Sequence, residues 1–578
     1  MARLNDEVGA LLQEYSDLLL LTGGDAYRAR SYEKAARSVG GHPDDLARLD
    51  AKGLQAIPGV GKSTAEKITE YLGTGRVAAL DALRAKVPPG VREIMAIPTV
   101  GPKKAALVHR ELGVSTVDEL LDAARAGRLD DLPGLGARTA ENIVHGIEVL
   151  RQGGGRVLIS TALALAEEIA AAVREAPGCE RCTWAGSLRR MRETIGDVDV
   201  LATADDSAPL MSALTGHPLT AEVLGSGTTK TSIRTTRGLQ VDLRVVPAED
   251  WGAALVYFTG SKAHNIKLRA RAVKAGLKLS EYGLFEADGG RKLASRTEEE
   301  VYEALGLPWI PPTLREDRGE IEDALNGELG EPVTEQDVRG DLHTHTDLTD
   351  GLAPLEEMLA AAHRRRWSYV AVTDHAPNLA MQRMTDAKML AQREQLQALQ
   401  GSFGRMRLLH GTELNIDPDG GVDWPPEFLA GFDLCVASIH SAFGLDRAAQ
   451  TRRLVRACEN PHVHVIGHPT TRLLGRRAPI DADFGEVFAA AARTGTALEV
   501  NASPERLDLG DELIVAARRH GVRFAVNTDA HATVHLDNLR FGVATAQRGR
   551  LTAEEVVNTW PLQKLRQFLR KAGPKASG

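Results

Sequence analysis

Residues 196–204 read GDVDVLATA. Asp197 and Asp199 alternate with Val198 and Val200, the period of a β-strand. Both carboxylates therefore share one face, and both valines turn to a core. A second run, LQVDLRVV at 239–246, sets Asp242 between Val241 and Leu243 in the same way. Taken singly, an Asp-Val-Asp run reads as a solvated strand face. Three carboxylates brought together repel one another unless cations neutralise them. Two Mg2+ ions clamping a triphosphate and an attacking 3′-hydroxyl would do so.

The chain around these runs has 578 residues. Domains hold roughly 100–200 residues, so three to five units are expected. Hydrophobic content is 43%, enough for packed cores. Four cysteines in no regular framework favour a reducing compartment. The start, MARLNDEVG, has no signal-peptide pattern, and Leu18–Leu21 is too short to span a membrane. The expected address is cytoplasmic. Net charge is −8 and no part is strongly basic, so nucleic-acid contacts would be local patches and backbone amides. Twelve of the 17 histidines lie after residue 340, which marks the last part as chemically distinct.

The first part repeats a motif: IPGVGKSTAEKI at 57–68, IPTVGPKKAALV at 97–108 and LPGLGARTAENI at 132–143. Each joins a proline-glycine turn to an amphipathic helix. Gly59, Gly61, Gly101, Gly134 and Gly136 allow tight turns at a helix start, where exposed N–H groups attract an anion. Thr99 stands where the second copy should carry its first glycine. These loops resemble helix-hairpin-helix motifs, which grip DNA phosphates without reading sequence. Residues 1–85, with SYEKAARSV and the first hairpin, resemble the small N-terminal domain of DNA polymerase beta and other family X polymerases. That likeness puts Lys34 and Lys67 at the DNA. It also implies a 5′-deoxyribose phosphate lyase in which Lys67 forms a Schiff base; otherwise Lys67 is a solvated phosphate contact.

RQGGGR at 151–156 reads as a hinge. Beyond it, Gly186-Ser187 precedes Asp197 at the spacing of the nucleotidyltransferase superfamily. The resemblance implies that Ser187 and Arg190 hold the β- and γ-phosphates, and that Gly196 lets the backbone approach the nucleotide. Arg156 is a further candidate. YFTGSKAHNIKLR at 257–269 resembles the family X segment lining the incoming nucleotide. On that likeness Tyr257, Phe258 and Gly260 lie beside the sugar segment, Asn265 faces the base and Arg269 the template. Three positions depart from polymerase beta or its family. Ile195 replaces a serine, Gln240 a basic residue near the third aspartate, and Lys262 an acidic residue near the base. Loss of the basic neighbour is expected to slow the chemistry. Cys179 and Cys182 form an isolated CERC, read as incidental.

GDLHTHTDLTDG at 340–351 aims His343 and His345 at one point, if both lie on a strand. Six further strand-like runs follow: YVAVTDH, RLLHGTELN, LCVASIH, VHVIGHP, ALEVN and RFAVNTDAH. Helix-like stretches separate several of them, which predicts a closed parallel barrel with ligands at its carboxyl end. This part resembles a PHP (polymerase and histidinol phosphatase) domain, a distorted (β/α)7 barrel. The family arrangement is trinuclear. It implies one ion on His343, His345, Glu413 and Asp529, a second on Glu413, His440 and His468, and a third on Asp350, His375 and His531. Asp374 and His410 would orient ligands. His462 and His464 read as structural or exposed.

The whole is identified as resembling bacterial family X DNA polymerases with a C-terminal PHP domain, a multidomain α+β and α/β chain. The expected divisions are a helix-hairpin-helix domain (1–85), a second helical domain (86–152), a nucleotidyltransferase palm (153–250), a thumb (251–318), a helical or partly flexible linker (319–336) and the PHP domain (337–575). The expected activity is gap-filling DNA synthesis with 3′→5′ exonuclease, together with a possible cut at abasic sites. Mg2+ or Mn2+ is expected in the palm, two ions in all, and Mn2+ or Zn2+ in the barrel, up to three. Expected partners are gapped or primed DNA and dNTPs, with no membrane, and the expected state is a monomer. Two alternatives are a PHP part that is mainly structural or DNA-binding, and a small-molecule phosphatase. The three hairpins discriminate against the second.

Overall fold

The computed structural model describes residues 4–571 apart from 43, 96, 98–99, 130–131, 134, 137–138, 141–142, 145–146, 148–154, 288–289 and 380–383. The chain divides into two compact units, one built mainly from 154–333 with 543–552, the other holding the N-terminal helices and the barrel.

The N-terminal part is helical. Helices α1 (Leu4–Leu21) and α2 (Ala26–Gly40) pack on a hairpin made by α3 (Ala51–Ala56) and α4 (Lys62–Thr74). The hairpin's own apolar residues, Ile57 and Val60, are buried with Ala65, Ile68, Leu12 and Val8. Each large side chain buried this way contributes roughly 1.5–3 kcal/mol. Gly59 has φ +84, a left-handed turn that a side chain would strain. Gly61 caps α4 without a side-chain bond. The second hairpin repeats the arrangement at α5 (Gly101–Leu112), which ends on left-handed Gly113.

The palm is a five-stranded sheet of β1 (Arg181–Trp184), β2 (Asp197–Thr203), β3 (Thr220–Ser226), β4 (Lys230–Thr235) and β5 (Gln240–Val246), in the order β1-β2-β5-β4-β3. Only β2 and β5 pair in parallel; the other pairs are antiparallel. Helix α6 (Ile159–Glu175) buries its apolar stripe, Leu163 to Val173, beneath the sheet. The thumb follows, with α7 (Trp251–Thr259), α8 (Lys262–Lys274), a small antiparallel sheet β6 (Leu277–Ser280), β7 (Gly283–Glu286) and β8 (Lys292–Ala294), and α9 (Glu298–Ala304).

Of the expected linker, residues 319–333 fall in this unit and 334–336 in the other. Helix α10 (Glu320–Asn326) buries Ile321 and Ala324 in the thumb core. Glu320 is also buried and accepts from His264 at 2.6 Å. Apolar residues spaced three apart give one helix face to bury, and the buried histidine satisfies the acid.

The barrel has seven parallel strands: β9 (Gly340–Asp341), β10 (Tyr369–Val372), β11 (Arg407–Asn415), β12 (Leu434–Ser438), β13 (Val465–Ile466), β14 (Ala497–Asn501) and β15 (Phe524–Asn527). Each pairs with the next in sequence, and a bridge between Thr344 and Ala530 links the two outer strands. β10, β12, β14 and β15 are buried along their whole length, as parallel strands covered on both faces should be. β9 is shorter than expected, so His343 and His345 lie beyond its end on either side of the Thr344 bridge.

Candidate active sites

In the palm, parallel register sets Asp197 against Gln240 and Asp199 against Asp242. Burial, then the Asp197 and Asp242 charges, push Asp199 up to about 6. Asp242 is the opposite case. Its burial is outweighed by hydrogen bonds from Lys230, Ser232 and Gln240, and its pKa is lowered. Lys230 Nζ lies 2.8 Å from Asp242 Oδ2, and Gln240 Nε2 donates to Oδ1 at 3.0 Å. The positive neighbour expected to be missing is therefore supplied by β4. A Cβ at Gly186 would sit 2.2 Å from Asp199 Oδ2, and Gly186 has φ +62, so the short helix carrying Ser187 closes on the carboxylate only as glycine.

Gly196 faces Arg156, whose Nη1 lies 3.1 Å from where a Cβ would stand, and Arg156 Nε donates to Thr194 Oγ1 at 3.0 Å. Arg190 is engaged differently from expectation. Its Nε donates to Glu316 Oε1 at 3.0 Å, and its Nη1 donates to the Thr259 carbonyl beside Gly260. Burial lowers its pKa. Any phosphate contact by this guanidinium has to compete with those partners. Tyr257 and Phe258 meet edge to face at 5.1 Å. Asn265 donates to the Tyr257 carbonyl at 2.7 Å and leaves its buried Oδ1 without a partner. Arg269 shares the α8 face with Asn265 and lies over the Tyr257 ring at 5.9 Å. Burial pushes the Cys182 thiol up to about 12.

In the first hairpin, Lys67 Nζ donates to Ser63 Oγ at 2.9 Å and lies over Tyr15 and Tyr32 at 5.3 and 5.5 Å. The Lys34 side chain lies 3.0 Å from where a Cβ on Gly59 would be. Gly61, Gly101 and Gly136 lie at hairpin turns or helix starts with no atom within 4 Å of a Cβ position. Thr99 and Gly134 fall outside the described residues.

The barrel cluster centres on Glu413. Its Oε1 lies 3.0 Å from His468 Nε2 and 3.2 Å from His440 Nε2. Its Oε2 lies 2.9 Å from His375 Nδ1, 3.5 Å from His343 Nε2 and 3.6 Å from His345 Nε2. Asp350 Oδ1 faces His375 at 3.5 Å and His531 at 3.4 Å. Asp529 Oδ1 faces His345 at 3.2 Å. All nine expected ligands thus join one cluster. Three groupings bring donor atoms close enough for one ion each, and they share His345 and His375: His345 with Asp350, His375 and His531; His343 with His345 and Asp529; His375 with Glu413 and His440. This differs from the expected partition, in which only Glu413 was shared.

Burial would lower these imidazoles, yet Glu413 and Asp350 push His375 up to about 10, and Asp350 and Asp529 push His531 up to about 9. Burial and the Arg506 charge lower His468 to about 4. Nε2 of His343 and of His345 are buried and make no hydrogen bond, although carboxylate oxygens lie 3.2–3.7 Å away. Lone pairs aimed at a common point rather than at each other suit a cation. His468 and Asp529 hold left-handed backbone, with φ +28 and +52, as strained residues at sites often do.

Supporting groups were only partly foreseen. Asp374 accepts from Thr346 and Thr349 and so anchors the loop that carries Asp350. His410 is corrected: it stacks on Phe432 and takes an N–H from Arg393 at 3.3 Å, and so packs beside β11. Buried His464 is structural, bonded to the Cys435 and Leu569 backbone. Glu499 was missed. It is fully buried and faces His343 Nδ1 at 2.8 Å, leaving Nε2 for a metal. An acid in the middle of the buried run ALEVN was the available signal.

Four stretches of the chain match known families. Residues 3–77 match the model of a helix-hairpin-helix domain, 91–148 a SAM-like helix-hairpin-helix tandem, 254–316 the DNA polymerase beta thumb, and 341–503 the PHP domain. The chain is 34% identical over 568 residues to the DNA polymerase/3′-5′ exonuclease PolX of Bacillus subtilis (strain 168), covering 97% of this chain and 98% of that protein. DNA polymerase lambda of Rattus norvegicus is 28% identical over 322 residues, 51% of this chain and 53% of its own. A probable phosphatase of Thermoanaerobacter sp. (strain X514) is 28% identical over 250 residues, 41% of this chain and 97% of its own.

Proposed function

Because this chain belongs to the PolX family, the family X DNA polymerases with a C-terminal PHP domain, we propose that its palm fills short DNA gaps and its barrel shortens 3′ ends. The observation carrying this reading is the presence of two separate clusters of phosphate-chemistry groups: Asp199 in register with Asp242, and six imidazoles on three carboxylates around Glu413.

The oxygen-only palm triad, Asp197, Asp199 and Asp242, suits two Mg2+ or Mn2+ ions, while the nitrogen and oxygen donors of the barrel suit up to three Mn2+ or Zn2+. Bound ions supply charge neutralisation at the phosphate and a lowered pKa for the attacking hydroxyl or water. The chain's own groups orient the reactants. Ser187 and Arg156 flank the incoming triphosphate. Asp242 receives the primer hydroxyl, with Lys230 and Gln240 holding its oxygens beforehand. Tyr257, Phe258, Asn265 and Arg269 bracket the nascent pair. The hairpin amides at Gly59, Gly61, Gly101 and Gly136 hold phosphates of gapped DNA, with dNTPs as substrates. Lys67 is the group for a 5′-deoxyribose phosphate lyase, and borohydride should trap it on such an end; no adduct removes that activity. Cutting at abasic sites is a further activity of the same barrel. The enzyme acts as a cytoplasmic monomer. No helix among the described residues is long and apolar enough to cross a membrane.

A gapped duplex with labelled primer tests the main reading. With dNTPs and Mg2+ or Mn2+ the primer lengthens; without dNTPs and with Mn2+ it shortens. A primer that neither lengthens nor shortens in any of these mixtures refutes both activities. Full exonuclease in His343→Ala would refute the barrel assignment and return it to a structural role.

A further inference from the structure

One cation stands at the barrel cluster without a part in the reading above. Arg506 lies on the loop after β14, at the barrel end that carries the metal-binding side chains. Its side chain is 20% exposed, and its Nε lies 3.8 Å from Asp529 Oδ2. That is too long for a hydrogen bond. Its Nη1 is buried and has no hydrogen-bond partner. The other oxygen of Asp529 faces His345, so Arg506 borders the ligand set, within electrostatic reach of His468. The loop is built to keep it there. Arg506 N donates to the Ser503 carbonyl at 2.8 Å, and its own carbonyl accepts from Arg472 Nε at 2.9 Å. Two residues on, buried Asp508 accepts from Thr470 N at 3.0 Å.

A guanidinium beside a site for several divalent cations is electrostatically costly. Even with Glu499 behind His343, the carboxylates Asp350, Glu413 and Asp529 fall short of three divalent ions, and Arg506 adds to the excess. Such a placement becomes favourable when an anion enters. Arginine's planar fork matches phosphate oxygens, and an N–H with no protein partner is free to donate to one. We propose that Arg506 Nη1 donates to a non-bridging oxygen of the phosphodiester held in the barrel, making Arg506 a phosphate-binding residue outside the metal-binding set. This rests on the barrel being a phosphoesterase.

The test uses the full chain loaded with Mn2+, with the palm silenced by Asp199→Asn in every sample. Inorganic phosphate binding is measured by calorimetry, metal content by mass spectrometry, and shortening of a single-stranded oligonucleotide in parallel. Arg506→Ala should keep the parent's metal content and weaken phosphate binding about tenfold or more. Arg506→Lys should recover only part of it, since an ammonium lacks the fork. Unchanged phosphate affinity with full metal overturns the proposal. So does loss of metal, which would make Arg506 a support for Asp529. Phosphate binding that depends on Arg506 in a parent that does not shorten DNA would support this inference while overturning the exonuclease reading.

Discussion

In the palm, Asp197, Asp199 and Asp242 present only oxygen, and one ammonium, Lys230, lies against one of the three. In the barrel, six imidazoles surround three carboxylates, and the acids that His375 and His531 face push their pKa values up to about 10 and about 9. In the palm, burial and like charges raise Asp199 while Lys230 eases Asp242, and the oxygen-only set suits hard cations. The barrel without ions compensates itself, so a metal entering it must displace protons. The same family of reactions is thus prepared by two different charge arrangements.

Exchanging the lesions gives the largest effect. Asp199→Asn should lower nucleotide addition by about a thousandfold or more and spare hydrolysis, whereas His343→Ala should do the reverse, read on one gapped substrate. If either variant loses both activities together, the two centres are not independent. Next is Glu499→Gln, which removes the anion behind His343. Manganese affinity of the barrel should fall about 10–100-fold in a metal titration, with polymerisation unchanged. An unchanged titration would make Glu499 a packing residue.

The smaller effects concern the metal-free palm. The raised pKa of Asp199 means the folded chain binds more protons than the unfolded chain between its ordinary value, near 4, and about 6. The contribution of Asp199 to the stability of the chelator-treated protein should therefore fall as pH rises through that window, and Asp199→Asn should remove that part of the slope. Parent and Asp199→Asn melting curves with the same pH dependence across that window contradict the charge arrangement. Lys230→Met should cost the metal-free protein about 1 kcal/mol or less, because the Lys230 side chain is 37% exposed. It should change metal-loaded synthesis only a few-fold, measured by melting and by primer extension.

Much of this was legible along the chain. Period-two alternation around Asp197 and Asp242 is local, and so is a ligand ending each barrel strand. What was hidden depends on partners distant in sequence. Lys230 meets Asp242 only through the pairing of β4 with β5, and Glu499 meets His343 across the barrel. Arg190 matches the phosphate-holding position by motif, yet its position is decided by Glu316, 126 residues away. The supposed linker misled because its charges mask two apolar residues on one helix face, Ile321 and Ala324. His410 sits on a ligand-bearing strand but lies at its pairing with β10 rather than at its end.

Glu413 divides its two oxygens between different imidazole sets, so any ion held by one set reorients the carboxyl that the other set needs. Ions arriving at the barrel should therefore assist one another, and partly filled barrels should be scarce. Hydrolysis in the barrel should then answer the supply of its own ions as a threshold, whereas the palm carboxylates, which share no such bridging group with imidazoles, should fill gradually.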